Sequence, residues 1–157
     1  MNYSDIKPND SMNGEGISVS LFVSGCTNYC KGCFNKDTWD FNYGNEFTEK
    51  EMNYILESIN KNGIMRNFSV LGGDPLHNEN INTVLKILEK VKNAYPTITT
   101  YVWSGYLYEY LINKYGEEIF KNIDVLKDGK FIEELKDITL NLRGSSNQRI
   151  LRLKGDN

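Results

Sequence analysis

The three cysteines of this chain, Cys26, Cys30 and Cys33, all fall within one stretch of eight residues. Thiolates are ligands for zinc and for iron–sulfur clusters, and a compact loop can bring three sulfurs to one centre. An ordinary ferredoxin-type 4Fe–4S cluster has four cysteine ligands, so a cluster held here would have one iron without a cysteine. That open iron is a position at which a substrate could coordinate.

Three other interpretations of the cysteines remain. They could be buried structural residues, although their crowding into one loop argues against this. A redox-active pair of Cys30 and Cys33 would leave Cys26 unexplained. A zinc site could combine the three cysteines with His77, the only histidine, since zinc accepts such a set. The spacing favours the cluster, with zinc as the main alternative.

Further candidate residues follow the later predicted strands. Gly72-Gly73-Asp74 ends one of them, and glycines allow backbone carbonyls to approach a ligand while a carboxylate can pair with an ammonium group. Ser104-Gly105 and Asp128-Gly129-Lys130 end two others. Each of these segments also has a composition that is typical of turns. The residues alone therefore do not decide between a ligand-binding site and a simple turn.

Hydrophobic periodicity predicts the elements that must position these residues. Strands are predicted at 17–24, 68–71, 98–103 and 123–126, from short β-branched and apolar runs. A capping box at Thr48 and Glu51 begins a helix that Gly63 ends, and an apolar stripe over 81–91 forms a second helix before Pro96. A third helix follows Ser104-Gly105 and extends to about Tyr115. Segments 138–142 and 150–153 are expected to be short strands or irregular.

Alternating strands and helices at this spacing predict right-handed βαβ units and a mostly parallel sheet. Four such units are too few for a closed eight-stranded barrel, so an α/β open partial (βα) barrel is expected, as one domain over residues 1–157. Ligands of parallel α/β proteins bind at the carboxyl ends of the strands. The candidate residues should therefore converge on one edge of the sheet.

Composition narrows the class of function. The net charge of −3 argues against nucleic acid as the main partner, because such partners usually require a basic face. No apolar run approaches the roughly 20 residues that span a bilayer, and the N-terminus lacks the layout of a signal peptide. We therefore expect a cytoplasmic protein that acts without a membrane.

The C-x3-C-x2-C loop after the first predicted strand resembles the hallmark of the radical S-adenosylmethionine superfamily. More narrowly, the chain resembles the activating proteins of anaerobic (class III) ribonucleotide reductase. Two residues depart from the family pattern, and neither is one of the cysteine ligands: Glu15 replaces a frequent proline and Phe34 a common tyrosine. Matching segments run in order along the whole chain: MNY at 1–3, NG at 13–14, LFVSGC at 21–26, GCFN at 32–35, TW at 38–39, GGDPL at 72–76, VWSGY at 102–106, VLKDGKF at 125–131 and RGSSNQ at 143–148.

The resemblance implies a fold, a reaction and its partners. The fold would be an open barrel of the radical S-adenosylmethionine type. A 4Fe–4S cluster on Cys26, Cys30 and Cys33, reduced by a flavodoxin- or ferredoxin-like donor, would cleave S-adenosylmethionine to a 5′-deoxyadenosyl radical. That radical would take hydrogen from a glycine near the C-terminus of the large catalytic subunit of the anaerobic reductase.

The resemblance also implies roles in binding S-adenosylmethionine. Gly72, Gly73 and Asp74 would hold the methionine amino group, although many relatives have Glu where this chain has Asp74. Asp128 would take the ribose hydroxyls and Lys130 the methionine carboxylate. Ser104 is a weaker ribose candidate, and the backbone of Gly32, Cys33 and Phe34 would line the adenine side. His77 is read as a loop residue near the protein–protein surface, and residues 143–149 as either a docking loop or a polar turn.

Overall fold

The computed structural model describes residues 1–154, which form one mixed α/β sheet with helices packed on it. Seven strands lie in the order β3-β1-β2-β4-β5-β6-β7. The strands are β1 (Asn2–Asp10), β2 (Ser18–Val23), β3 (Asn45–Glu46), β4 (Asn67–Gly72), β5 (Thr100–Trp103), β6 (Val125–Asp128) and β7 (Arg149–Arg152). The helices are α1 (Glu49–Ile59), α2 (Ile81–Ala94) and α3 (Tyr108–Tyr115), with 3₁₀ turns between some elements.

Four parallel strands form the centre of the sheet. β2 pairs with β4, β4 with β5 and β5 with β6, all in parallel. Antiparallel strands flank this centre, with β1 and β3 on one side and β7 on the other. Within residues 1–154 the sheet stays open, because β3 and β7 lie at opposite ends of the strand order. The α/β class and the parallel centre are thus confirmed.

The helices lie where their apolar stripes predict them. The side chain of Thr48 and the carboxylate of Glu51 form the expected capping box at the start of α1. α1 buries Met52, Ile55 and Ile59, and α2 buries its own stripe against the central strands. Burial of these aliphatic side chains supplies the main driving force for folding. The helices therefore cover the central strands, whose carboxyl ends carry the candidate residues.

The sequence did not predict two of the strands, β1 and β3. β1 has the sequence NYSDIKPND, whose polar residues and Pro8 do not suggest a strand. It forms because it pairs antiparallel with buried β2, with Ile6 opposite Leu21. β3 is only two residues long and pairs with the start of β1. In the tail, β7 matches the expected strand, whereas 138–142 is irregular. No helix in the part of the chain described here is long and apolar enough to cross a membrane.

Candidate functional site

A cavity of about 550 Å³ opens at the carboxyl ends of the parallel strands, a size typical of small-molecule sites. It lies where the sequence predicts that the candidate residues converge. Its wall comes from regions that are distant in sequence: residues 12–13 after β1, the cysteine loop, the ends of β4 and β5, β6 and the loop after it, and the tail after residue 139. The residues that line the cavity include Cys33, Phe34, Gly72, Gly73, Trp103, Ser104, Gly105, Lys127, Phe131, Leu140, Leu142, Arg143, Gly144 and Gln148.

The cysteine loop leaves β2 and passes over this end of the sheet. Cys26 is buried, and Cys30 and Cys33 are half-buried. The Sγ of Cys26 accepts the backbone N–H of Asn28 over 3.4 Å, and the Sγ of Cys33 accepts that of Asn35 over 3.4 Å. Backbone N–H groups that point at sulfur stabilise thiolates and tune the clusters they hold. Of the three cysteines, only Cys33 forms part of the cavity wall.

Burial raises the pKa of the Cys26 thiol to about 11, and the nearby carboxylate of Asp74 adds to this, although the Asn28 N–H lowers it. A metal that binds this sulfur must therefore displace its proton. The positive charge of a bound iron would favour the thiolate that burial disfavours. The loop is thus suited to a bound cation and is unfavourable for a free thiolate.

The zinc alternative needs the three cysteines and His77 to meet at one point, since zinc–sulfur bonds are about 2.3 Å long. Across residues 1–154, no three His, Cys, Asp or Glu side chains converge on one point that a metal ion could occupy.

His77 has other partners. It lies in the loop between β4 and α2, as expected from sequence, and its side chain is buried. Its Nδ1 accepts the N–H of Glu79 over 3.1 Å, and its ring packs on Phe41 with centroids 4.7 Å apart. These contacts hold the turn before α2.

Glycines bring the end of β4 against the cysteine loop. A Cβ on Gly73 would lie 2.6 Å from the carbonyl oxygen of Gly25, and a Cβ on Gly72 would lie 2.6 Å from that of Val23. The N–H of Asp74 donates to the same Gly25 carbonyl over 2.8 Å. No side chain fits between these segments, so Gly72 and Gly73 are required for the close approach. Their backbone lines the cavity beside the cysteine loop.

Asp74 is fully enclosed and its carboxylate accepts four hydrogen bonds. Oδ1 accepts the Leu76 N–H over 3.0 Å and the Ser104 hydroxyl over 2.9 Å. Oδ2 accepts the Asn28 side-chain amide over 3.0 Å and the Gly105 N–H over 2.9 Å. Burial raises the pKa of this carboxyl, against the N–H groups of Gly105 and Leu76, which lower it. Asp74 therefore joins the cysteine loop to the ends of β4 and β5.

Two asparagines that sequence reasoning missed complete this network. Asn28 reaches Asp74 from the cysteine loop. Asn80 is buried at the start of α2, and its amide donates to the carbonyls of Ser24, Gly25 and Asp74 over 3.0–3.2 Å. The sequence offers one signal for the second: an asparagine immediately before a helix is a common cap. Here its amide instead fixes the base of the cysteine loop.

Of the remaining residues that the sequence predicted as ligands, some line the cavity and others do not. Ser104 lies on the cavity wall, but its hydroxyl donates to Asp74 and accepts the Tyr106 N–H over 3.0 Å. Phe34 lies on the wall, whereas Gly32 does not. Asp128 is buried and forms a bidentate ion pair with Arg149, and Lys130 is exposed outside the cavity. The structure therefore does not bring Asp128 and Lys130 to the cavity.

Two basic residues that were not singled out as ligands do line it. Lys127 is the third residue of β6, and burial lowers its pKa to about 8, although Asp74 and Cys30 favour its charged form. The signal in the sequence is a lysine that follows two buried apolar residues near the end of a parallel strand. Arg143 belongs to the segment 143–149, which folds back onto β6: the Gln148 side chain donates to the Gly129 carbonyl over 2.9 Å. Arg143, Gly144 and Gln148 of this segment therefore form part of the cavity wall.

Comparisons with known proteins agree with the cysteine chemistry. A family model described as "4Fe-4S single cluster domain" matches residues 12–151. A protein of Escherichia coli (strain K12) is 41% identical over 98% of this chain and 100% of its own length. One from Haemophilus influenzae is 43% identical over 98% and 99%, and one from Enterobacteria phage T4 is 36% identical over 96% and 93%. All three are named anaerobic ribonucleoside-triphosphate reductase-activating protein.

Proposed function

Since this chain belongs to the family of anaerobic ribonucleoside-triphosphate reductase-activating proteins, we propose that it is a radical S-adenosylmethionine enzyme that makes a glycyl radical on such a reductase. The observation that carries the proposal is the position of the three-cysteine loop. It lies against the Gly72-Gly73 backbone at the mouth of a cavity large enough for a small-molecule cofactor. The sheet around this cavity would be the partial barrel of that superfamily.

Cys26, Cys30 and Cys33 would hold a 4Fe–4S cluster, one iron of which has no protein thiol, because the chain contains no fourth cysteine. The backbone N–H groups of Asn28 and Asn35 support two of these sulfurs. The chemistry that a bound cluster would supply is one-electron reduction of the sulfonium of S-adenosylmethionine, which would break a carbon–sulfur bond and give methionine and a 5′-deoxyadenosyl radical. The protein supplies ligation, orientation and exclusion of water.

The Gly72-Gly73 backbone would receive the methionine amino group, with Asp74 holding that backbone in place through its four hydrogen bonds. Phe34, Trp103 and Phe131 give the cavity an aromatic side suited to the adenine. Phe34 is 80% exposed at its rim, so this side also faces outward. A partner segment could therefore approach the cavity from solvent.

The hydrogen donor would be a glycine near the C-terminus of the large catalytic subunit of the reductase, and the radical would be stored there. An open sheet suits this substrate, since a protein loop must enter from one side. A flavodoxin- or ferredoxin-like protein would reduce the cluster, and we place the reaction in the cytoplasm. The printed name of the relatives supports the reductase as partner.

The test combines the anaerobically reconstituted protein, a reductant, S-adenosylmethionine and the large reductase subunit. Electron paramagnetic resonance should show a doublet from the single α-hydrogen of a glycyl radical, and 5′-deoxyadenosine should accumulate. Cys30→Ala should give neither and should lose the roughly four irons per chain of the wild type. Replacing the reductase glycine by alanine is the matched control and should remove only the doublet. Stoichiometric zinc without iron uptake would overturn the cluster assignment.

A further inference from the structure

The loop after β5 contacts the cysteine loop directly and brings an aromatic side chain beside it. A Cβ on Gly105 would lie 2.2 Å from Nδ2 of Asn28, so nothing fits between the two loops. Tyr106 is the next residue. Burial raises the pKa of Tyr106 and a hydrogen bond with Thr27 lowers it, while the charge on Cys26 is among those that raise it further. Tyr106 is therefore a neighbour of the first of the three cysteines.

An aromatic path leads from Tyr106 to solvent. Its ring stacks on that of Tyr110, with centroids 5.3 Å apart and 18° between the ring planes. Tyr110 belongs to α3 and is 45% exposed, and Leu107 is 49% exposed. The cavity wall formed by residues 1–154 includes none of these three side chains. The cysteine loop can therefore be approached across two stacked rings as well as through the cavity.

The charge that accompanies these rings is positive. Lys114 lies one helical turn after Tyr110, with its Nζ 5.7 Å from the ring centroid and 3.4 Å from the hydroxyl. The acid beside Tyr110, Glu109, is paired with Arg149, whose Nη2 lies 2.8 Å from Glu109 Oε1. This surface would attract an acidic partner, although the chain has a net charge of −3. We define the tyrosine face as Tyr106, Leu107, Tyr110 and Lys114.

We propose that the tyrosine face is the docking site of the protein that reduces the cluster, a small acidic flavoprotein whose flavin edge contacts Tyr110. The assignment rests on the proposed function, which requires an electron from outside the chain. Exposed tyrosine rings suit contact with the flat edge of a flavin, and Lys114 suits the acidic surface around it. One electron would pass from the flavin hydroquinone, which becomes a semiquinone, to the cluster, with no bond formed or broken.

This arrangement would separate two tasks that the protein must perform on one cluster. The cavity would stay free for S-adenosylmethionine and for the target glycine, since the tyrosine face lies outside its wall. Electron delivery would then take place while the cavity is occupied. The two surfaces can therefore be tested independently.

Binding is measured first, by isothermal titration of metal-free and cluster-loaded protein with oxidised flavodoxin. Tyr110→Ala and Lys114→Glu should each weaken binding about tenfold or more, as expected for a central aromatic contact and a reversed charge. Tyr110→Phe keeps the ring and should bind like the wild type. The loss in Lys114→Glu should shrink as the ionic strength rises, because salt screens exposed charges.

Two control variants change the same residue types elsewhere on the surface. Tyr54→Ala removes an exposed tyrosine from α1, and Lys86→Glu reverses an exposed lysine on α2. Both should bind flavodoxin like the wild type. Equal losses in the controls and in the variants of the tyrosine face would overturn the docking site, as would a wild type that does not bind flavodoxin.

Electron transfer is measured next, by stopped flow, as the loss of cluster absorbance on mixing with flavodoxin hydroquinone or with dithionite. Tyr110→Ala should slow reduction by flavodoxin about tenfold or more at low donor concentration. Reduction by dithionite should be unchanged, because this small ion requires no docking surface. Equal slowing with both reductants would overturn the proposal, since Tyr110 would then act on the cluster itself.

The same variants test two other occupants of the tyrosine face. If Tyr110→Ala lowers the yield of glycyl radical with dithionite as reductant, the face binds the reductase and the proposal fails. If sedimentation shows a wild-type dimer that Tyr110→Ala separates, the face joins two copies of this chain and the proposal fails.

Circular dichroism and iron content show whether each variant folds and holds its cluster. If Tyr110→Ala does not fold, Lys114→Glu carries the same comparison. A wild type that takes up no iron would contradict the proposed function. A cluster that forms and is reduced by flavodoxin equally well in every variant would contradict only the docking site, so the two failures are distinguishable.

Discussion

The side-chain amide of Asn28 donates to Oδ2 of Asp74 over 3.0 Å, which joins the cysteine loop directly to the turn after β4. The other three donors to this carboxylate come from Leu76, Ser104 and Gly105. The acid that sequence reasoning assigned to the methionine ammonium is therefore already engaged on both oxygens. Its position makes it a support for the loop and for the glycine backbone beside it.

Asn28→Ala should destabilise the apoprotein by about 1.5–3 kcal/mol, because it removes a hydrogen bond to a buried charged group. Urea unfolding measures the change in the free energy of unfolding. Asn53→Ala, at an exposed position on α1, is the matched control and should stay within about 0.5 kcal/mol of the wild type. Equal stabilities for the two variants would show that the contact between Asn28 and Asp74 contributes little.

Gly73→Ala should prevent normal cluster loading. Its Cβ would lie 2.6 Å from the Gly25 carbonyl oxygen, so the end of β4 and the cysteine loop must separate. Such overpacking typically costs about 1–3 kcal/mol. Gly16→Ala is the control: nothing lies within 4 Å, but its φ of +74° makes an alanine strained. Both variants should lose stability, and only Gly73→Ala should take up less iron after reconstitution.

Alkylation should distinguish Cys26 from the other cysteines. Its pKa of about 11 leaves almost no thiolate near pH 8, and its side chain is buried. In the anaerobic apoprotein, iodoacetamide should modify Cys26 at least roughly tenfold more slowly than Cys30 or Cys33, as followed by peptide mass spectrometry. In the urea-unfolded chain the three rates should converge. Fast modification of Cys26 in the folded protein would contradict the burial described for it.

Lys127→Met should stabilise the apoprotein. The folded protein releases the Lys127 proton near pH 8, whereas the unfolded chain holds it to about 10.5. The unfolded state therefore binds more protons between these values, and the contribution of Lys127 to stability rises with pH in that window. Near pH 7 the Lys127 side chain is charged, and burying this charge lowers the free energy of unfolding of the wild type. Lys127→Met should therefore raise the free energy of unfolding by about 1–3 kcal/mol.

This gain should shrink as the pH is raised from about 8 to 10, because the wild type then loses the buried charge itself. Lys130→Met is the matched control at an exposed lysine and should leave the free energy of unfolding within about 0.5 kcal/mol. Urea unfolding at several pH values measures both. A stabilisation of Lys127→Met that does not vary with pH would mean that the effect comes from added apolar surface rather than from the charge.

Local signals in the sequence predicted the central architecture. The β-branched runs of β2, β4, β5 and β6 and the apolar stripes of α1 and α2 depend on short-range periodicity, which a sequence shows directly. β1 could not be predicted in this way, since its polar residues acquire a strand conformation only from pairing with β2. The strand conformation of β1 depends on its partner β2, which lies outside the short stretch of sequence from which a strand is predicted.

Nonlocal pairing also explains why the sequence did not reveal where Asp128 and Arg143 lie relative to the cavity. Asp128 appeared to be a ligand because it ends a parallel strand, but β6 and β7 pair with Asp128 opposite Arg149, and cross-strand ion pairs of this kind are favourable. The same pairing carries the preceding tail over the cavity and places Arg143 there. The cysteine motif was recognisable because its residues are adjacent in sequence, whereas the basic pair is assembled only by the tail.

Five residues between 140 and 148 contribute to the cavity wall, so this wall is incomplete until that segment has been synthesised. The cysteine loop leaves the ribosome long before these residues are made. A cluster inserted into the growing chain would lie on a loop that is still uncovered, open to oxygen and to competing thiols. Maturation after translation, by a carrier that recognises the completed fold, would avoid that exposure. A cavity wall completed by residues 140–148 would therefore favour insertion of the proposed cluster after that segment has folded.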